Sequence, residues 1–250
     1  MTGGAGWWRR LGGRALDLLY PPVCEQCGEP LANNRWLCAD CAGRLPRIKE
    51  PFCEVCGEPF FGNIEGGFAC PNCKSTVLAF DFARAALNGD SPEARALVHA
   101  LKYRRRVHLG GELATLMAEV FSDPRLAAAP AEGWPLVPIP LHPKRMRHRH
   151  FNQAGELAGH LGARLGLPVV AALRRVRATP TQTRLARKQR LKNLTGAFAL
   201  RGAARQLAGS PWVILVDDVL TTGATSHECA RVLKQQAGVE KVAVVTLLRS

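Results

Sequence analysis

The 250-residue chain is 47% hydrophobic and carries 34 Lys and Arg against 20 Asp and Glu, a formal net charge of +14. That is enough chain for one α/β domain plus a small module, and no apolar run approaches the ~20 residues of a membrane span. The charge is uneven. Residues 157–216 contain no acidic side chain but eleven Lys and Arg, a field that favours pyrophosphate, nucleotides or a nucleic-acid backbone, with a merely solvated basic surface as the bland alternative.

The first twenty residues are basic and lack the apolar run of a secretory signal, so a cytoplasmic location is expected. Leu11, Ala15, Leu18 and Leu19 suit one face of a short helix that Pro21 and Pro22 end. Eight cysteines then fall into four Cys-x-x-Cys pairs: Cys24 and Cys27, Cys38 and Cys41, Cys53 and Cys56, Cys70 and Cys73. Two pairs brought together make a tetrahedral thiolate cage, and the glycines after Cys27 and Cys56 suit the tight knuckle. Four pairs imply two structural Zn²⁺ ions in closed sites, with sequential pairing preferred and interleaved pairing still open. Disulfides fit poorly with a reducing cytosol, and a redox Cys-x-x-Cys is normally single. Phe60, Phe61 and Phe68 suit either packing around the second zinc or stacking on nucleobases. Cys229, the ninth cysteine, reads as a buried core residue on a later helix.

From residue 79 the pattern changes to alternating strands and helices, which predicts a mostly parallel sheet with right-handed crossovers. A strand over 80–87 opens it. Ser91, Pro92 and Glu93 start a helix that runs to about Tyr103, where Arg104, Arg105 and Arg106 follow. A helix over 111–121 comes next, then a strand ending in a rigid Pro-containing turn over 136–140. A basic loop over 142–153 carries Lys144, Arg145, Arg147 and Arg149, and a helix over 153–165 follows. Residues 169–176 suit a strand. The polar stretch 178–198 reads as a long mobile binding loop or a partly helical exposed arm, with Arg184, Arg187, Lys188, Arg190 and Lys192 as candidate anion contacts.

The stretch VILVDDVLTTGAT, residues 213–225, holds the densest chemistry. A buried strand over 213–216 leads to Asp217 and Asp218. The small residues Thr221, Thr222, Gly223, Ala224 and Thr225 precede a helix from about Ser226. Backbone N–H groups and a helix N-terminus make such a turn a phosphate cradle. Gly223 admits close approach, and the paired carboxylates suit ribose hydroxyls or a bridging Mg²⁺.

Four apolar residues, two acids, two apolar residues and Thr-Thr-Gly-x-Thr resemble the phosphoribosyl-pyrophosphate motif of type I phosphoribosyltransferases. With the cysteine knuckles, the segment LVPIPLHPKRMRHRHFNQAGELA and the loop TQTRLARKQRLKNLTGAF, the chain as a whole resembles the ComF family of double zinc ribbon proteins. Where that family usually has Arg-Gly-Phe-Asn-Gln, this chain has Arg149-His150-Phe151-Asn152-Gln153. The resemblance implies a type I phosphoribosyltransferase-like α/β fold with a parallel sheet flanked by helices. It implies an N-terminal helix over 1–20, a double zinc ribbon over 21–78 and the transferase-like domain over 79–250. It further implies that phosphoribosyl pyrophosphate binds with Mg²⁺. Asp217 and Asp218 would serve as catalytic and ribose-binding residues, residues 221–225 would take the 5′-phosphate, and Lys144, Arg149, Arg184 and Lys188 the pyrophosphate. A link to DNA uptake or DNA use follows, with single-stranded DNA and the competence helicase machinery as partners. A non-catalytic phosphoribosyl-ligand and DNA-binding module is the competing expectation. Thr221 stands where purine-salvage relatives carry an acid, which argues against a hypoxanthine-type acceptor.

Overall fold

A computed structural model describes residues 22–32, 35–60, 62, 67–178 and 187–250, without the side chains of 187, 188, 190 and 192. The expected N-terminal helix, Phe61 and Arg184 lie outside the described residues, as does the side chain of Lys188. The chain divides into two compact units, Met1–Leu45 and Pro46–Ser250.

The first unit is built on a knuckle. Gly28 at φ +76° turns the chain after Cys27, and Val23 and Pro30 close the turn as an antiparallel bridge. Helix α1, Ala39–Arg44, follows with Cys38 as its N-cap, the sulfur accepting from the Cys41 N–H. The second unit begins by repeating this device. PFCEVCGEP echoes PVCEQCGEP, with Gly57 at φ +68°, a Phe52–Pro59 bridge, and Cys70 at the N-terminus of α2, Pro71–Lys74.

The second knuckle lies on β1, Phe82–Asn88. The Ala83 N–H donates to the Val55 carbonyl at 2.9 Å. A Cβ at Gly57 would stand 2.8 Å from the Ala83 carbonyl oxygen, so only glycine permits this approach. Arg249, 5% exposed, donates from Nε to the Cys56 carbonyl at 3.1 Å. Residues 46–48 also pair with β1, the Ile48 N–H bonding to the Ala86 carbonyl at 3.1 Å.

The sheet is parallel, in the order β1, β6 (Lys241–Arg249), β5 (Trp212–Leu220), β2 (Leu136–Pro138). Val, Ile and Leu fill the central strands because both faces are covered. Val213, Leu215, Val242 and Val244 share a core with Cys229, Val232 and Leu233 of α9, Ala224–Ala237. The alternate residues Ile214, Val216, Ala243 and Val245 are equally buried and face the side where α4, Gly110–Ala118, and α7, Gln153–Leu165, pack. Helix α3, Pro92–Tyr103, starts as its sequence predicts, with Ser91 Oγ accepting from the Ala94 N–H at 3.2 Å. A one-turn helix α5, Ala129–Glu132, precedes β2.

Two expected elements differ, and the described part of a third takes the second of its two expected forms. The basic loop folds as α6, Pro143–Arg149: His142 caps it, Pro143 opens it, and His150 at φ +68° closes it. The strand expected over 169–176 contracts to β3, Leu173–Arg175, which pairs antiparallel with β4, Phe198–Leu200, outside the main sheet. Within the basic stretch, Arg187–Leu194 forms helix α8, the arm-like alternative, packed against α9.

Candidate functional site

Strand β5 outruns its apolar core. It stays paired with β6 through Asp217 opposite Thr246 and Leu220 opposite Arg249, so both aspartates belong to the strand. Successive strand residues face opposite sides. Asp218 meets Lys102 of α3, Nζ to Oδ1 at 2.8 Å. Asp217 faces the α9 side, and its Oδ1 accepts from the Asp218 N–H at 2.9 Å. Burial, and next the Asp218 charge, push the Asp217 carboxyl up to about 7.

Both carboxylates line a cavity of about 140 Å³, together with Lys102, Arg145, Arg149 and Arg175. Four cations against two acids leave an excess of positive charge suited to a phosphate-bearing ligand. Arg149 is held by Gln153 Oε1 at 3.1 Å, and its guanidinium lies 5.2 Å from the Tyr103 ring centre. Asn152 Nδ2 donates to the Ile139 carbonyl at 3.1 Å, which fixes the chain entering α7. Gln153 is 1% exposed and also lines the cavity; its Nε2 has no protein partner among the described residues.

The turn after β5 is short, residues 221–223, and α9 begins at Ala224. Gly223 sits at φ +76° against the Phe80 ring. The Ala224 N–H reaches Thr222 Oγ1 at 3.4 Å, and the first N–H groups of α9 have no intrahelical acceptor. Thr225 lines the cavity.

Of the sequence-expected contacts, the cavity gathers Asp217, Asp218, Thr225 and Arg149. Lys144 is exposed at the start of α6 and does not line it. Sequence reasoning missed Lys102 and Arg175 as lining groups, and named Arg145 only as part of the basic loop. It also missed Glu228, whose Oε1 accepts from the Gly196 N–H at 2.7 Å and from Arg231 Nη2 at 2.7 Å. Arg177 Nη2 binds the carbonyls of Asn193 and Thr195 at 2.6 and 2.8 Å, so two side chains tie down the end of the basic stretch. Cys229 is a fully buried core residue, as read from the sequence.

The cysteines form two clusters, Cys24, Cys27, Cys38 and Cys41, and Cys53, Cys56, Cys70 and Cys73, each with all sulfurs within 4.8 Å of one another. Pairing is therefore sequential. The separations Cys27 Sγ–Cys38 Sγ and Cys56 Sγ–Cys70 Sγ are both 3.8 Å. A tetrahedron with Zn–S bonds of about 2.3 Å has edges of about 3.8 Å. The clusters are two four-cysteine sites fit for structural zinc. Phe60 and Phe68 meet edge to face at 4.6 Å beside the second cluster, which favours packing over base stacking. Helices long and apolar enough to cross a membrane are absent among the described residues.

Two four-cysteine clusters ahead of a parallel α/β domain, with a cation-rich cavity at the end of a central strand, define a zinc-ribbon α/β protein. The double zinc ribbon domain family matches residues 15–75. The chain is 33% identical over 242 residues to the DNA utilization protein YhgH of Salmonella typhi, covering 93% of this chain and 99% of that one. It is 30% identical to competence protein F of Haemophilus influenzae over 72% of this chain and 78% of that one. It is 25% identical to competence protein ComFC of Bacillus subtilis over 91% and 78%. The chain belongs to the ComF family.

Proposed function

We propose that the cavity at the end of β5 binds phosphoribosyl pyrophosphate, and that the protein acts in DNA uptake or DNA use. The convergence of two strand-borne aspartates, four cations and a helix N-terminus on one small cavity carries the reading. Asp217 and Asp218 accept the ribose hydroxyls, the turn at 221–225 holds the 5′-phosphate, and Arg145, Arg149 and Arg175 face the pyrophosphate. Lys144 would add to the pyrophosphate contacts only from the periphery; Arg184 and Lys188 are proposed as further pyrophosphate contacts from the basic stretch. The partnerless Nε2 of Gln153 favours an occupant that brings acceptor oxygens. In a transfer reaction these residues work by positioning and charge neutralisation, as an oxocarbenium-like centre forms and pyrophosphate leaves. Mg²⁺ would enter with the ligand and supply further neutralisation of its diphosphate charge. The names of the relatives, which concern DNA utilisation and competence, support the biological setting.

Calorimetric titration with phosphoribosyl pyrophosphate and Mg²⁺ tests the binding, and pyrophosphate release against a panel of acceptors tests turnover. Asp218→Asn is expected to abolish binding with both zincs retained; unchanged affinity would refute the assignment. A non-catalytic reading is favoured by the exposed basic faces of 104–106 and α6, which the Arg149–Tyr103 contact brings together. In that case single-stranded DNA binds there with an affinity that falls steeply with salt, and no acceptor releases pyrophosphate.

A further inference from the structure

We infer that Lys102 is the resident cation of the aspartate pair, so that the sugar of the ligand binds there with no divalent ion on Asp217 or Asp218. The inference rests on reading the end of β5 as the phosphoribose site. The paired acids alone suggest a Mg²⁺ bridge, but the geometry disagrees. Lys102 Nζ lies 2.8 Å from Asp218 Oδ1, with side-chain exposures of 18% and 9%. An ammonium at that distance occupies a carboxylate oxygen that a metal would need, and it is a compact point charge that repels a second cation. Mg²⁺ demands an octahedron of oxygens at about 2.1 Å and keeps several of its waters. Here the surroundings supply three more cations instead, Arg145, Arg149 and Arg175.

The placement of Lys102 is fixed by the fold. Helix α3 carries it in its last turn, and the next residue, Tyr103, contacts Arg149 across the cavity rim. The lysine therefore belongs to the same wall as a pyrophosphate-facing arginine. It leaves the ribose diol to hydrogen-bond to carboxylates whose charge is already balanced. Divalent ions are left to the diphosphate, outside the pair.

Mn²⁺ binding to the full-length, zinc-loaded protein, read by electron paramagnetic resonance without ligand, tests this. Native protein and Asp218→Asn should bind Mn²⁺ alike. Lys102→Met should gain one site on the order of tenfold tighter than any in the native chain, lost again in the double variant with Asp218→Asn. A native Mn²⁺ site that Asp218→Asn removes would overturn the inference, as would a Lys102→Met protein that gains none. Lys102→Gln serves the same comparison should the methionine variant not fold. In a second measurement, native affinity for ribose 5-phosphate should change by less than about twofold on adding Mg²⁺, whereas a Mg²⁺-dependent tightening on the order of tenfold that needs Asp218 would overturn it. Failure of ribose 5-phosphate to bind at all counts against the phosphoribose site itself, and the Mn²⁺ comparison still decides the role of Lys102.

Discussion

His150, which departs from the glycine of the motif that its segment resembles, has φ +68°, in the left-handed region that favours glycine. A side chain there is strained by about 1 kcal/mol or more. His150→Gly is therefore expected to raise stability by about 1 kcal/mol, read from the denaturant midpoint, with the cavity unchanged. Asp217 illustrates a different residue-scale effect. Its carboxyl is pushed up to about 7 by burial and by Asp218. The folded state thus holds that proton more tightly than the unfolded chain. Stability from this group is greatest at acid pH and falls as pH rises from the ordinary carboxylate range to about 7. Asp217→Asn removes the buried charge. The variant should gain on the native protein in melting temperature at about pH 8 relative to about pH 5, on either side of the shifted carboxyl; an equal difference at both values would contradict this.

At the scale of elements, the strand β5 carries its acids inside the ladder because β6 is as long as β5 and pairs with it through Leu220. The sequence pattern ends the apolar run at Val216, and inter-strand hydrogen bonds do not read side-chain polarity. Similarly, α6 and α8 arise in stretches that look like loops. The caps of α6 were visible as His142, Pro143 and His150, yet an all-basic run without apolar periodicity hides a helix. The end of the basic stretch depends on Glu228, held below the ordinary carboxylate range, against its burial, by Arg231 and the Gly196 N–H. Glu228→Ala should release that anchor and raise cleavage by a protease within 178–196. Gly57 fixes the second knuckle to β1. Adding a methyl 2.8 Å from the Ala83 carbonyl, at φ +68°, should cost about 2 kcal/mol by thermal or chemical unfolding.

At the scale of the molecule, the second zinc cluster belongs to the same compact unit as the α/β sheet, through Val55, Cys56, Gly57 and Arg249. Cys53→Ser should therefore lower zinc from two to one per chain and also lower the melting transition of the α/β domain; loss of zinc with no change in that transition would refute the coupling. The amino-acid sequence by itself determined the four Cys-x-x-Cys pairs, the strands of the parallel sheet, the start of α3 and the acid pair. Each of these is written in local order: cysteine spacing, apolar runs, caps, and a strand that meets a small-residue turn. Only the tertiary structure decided which distant side chains meet that pair. Lys102 is 116 positions from Asp218 in sequence and 2.8 Å from it in space. Arg175 and Gln153 reach the same cavity from other elements, since crossovers and helix packing place them there and no local pattern encodes that meeting.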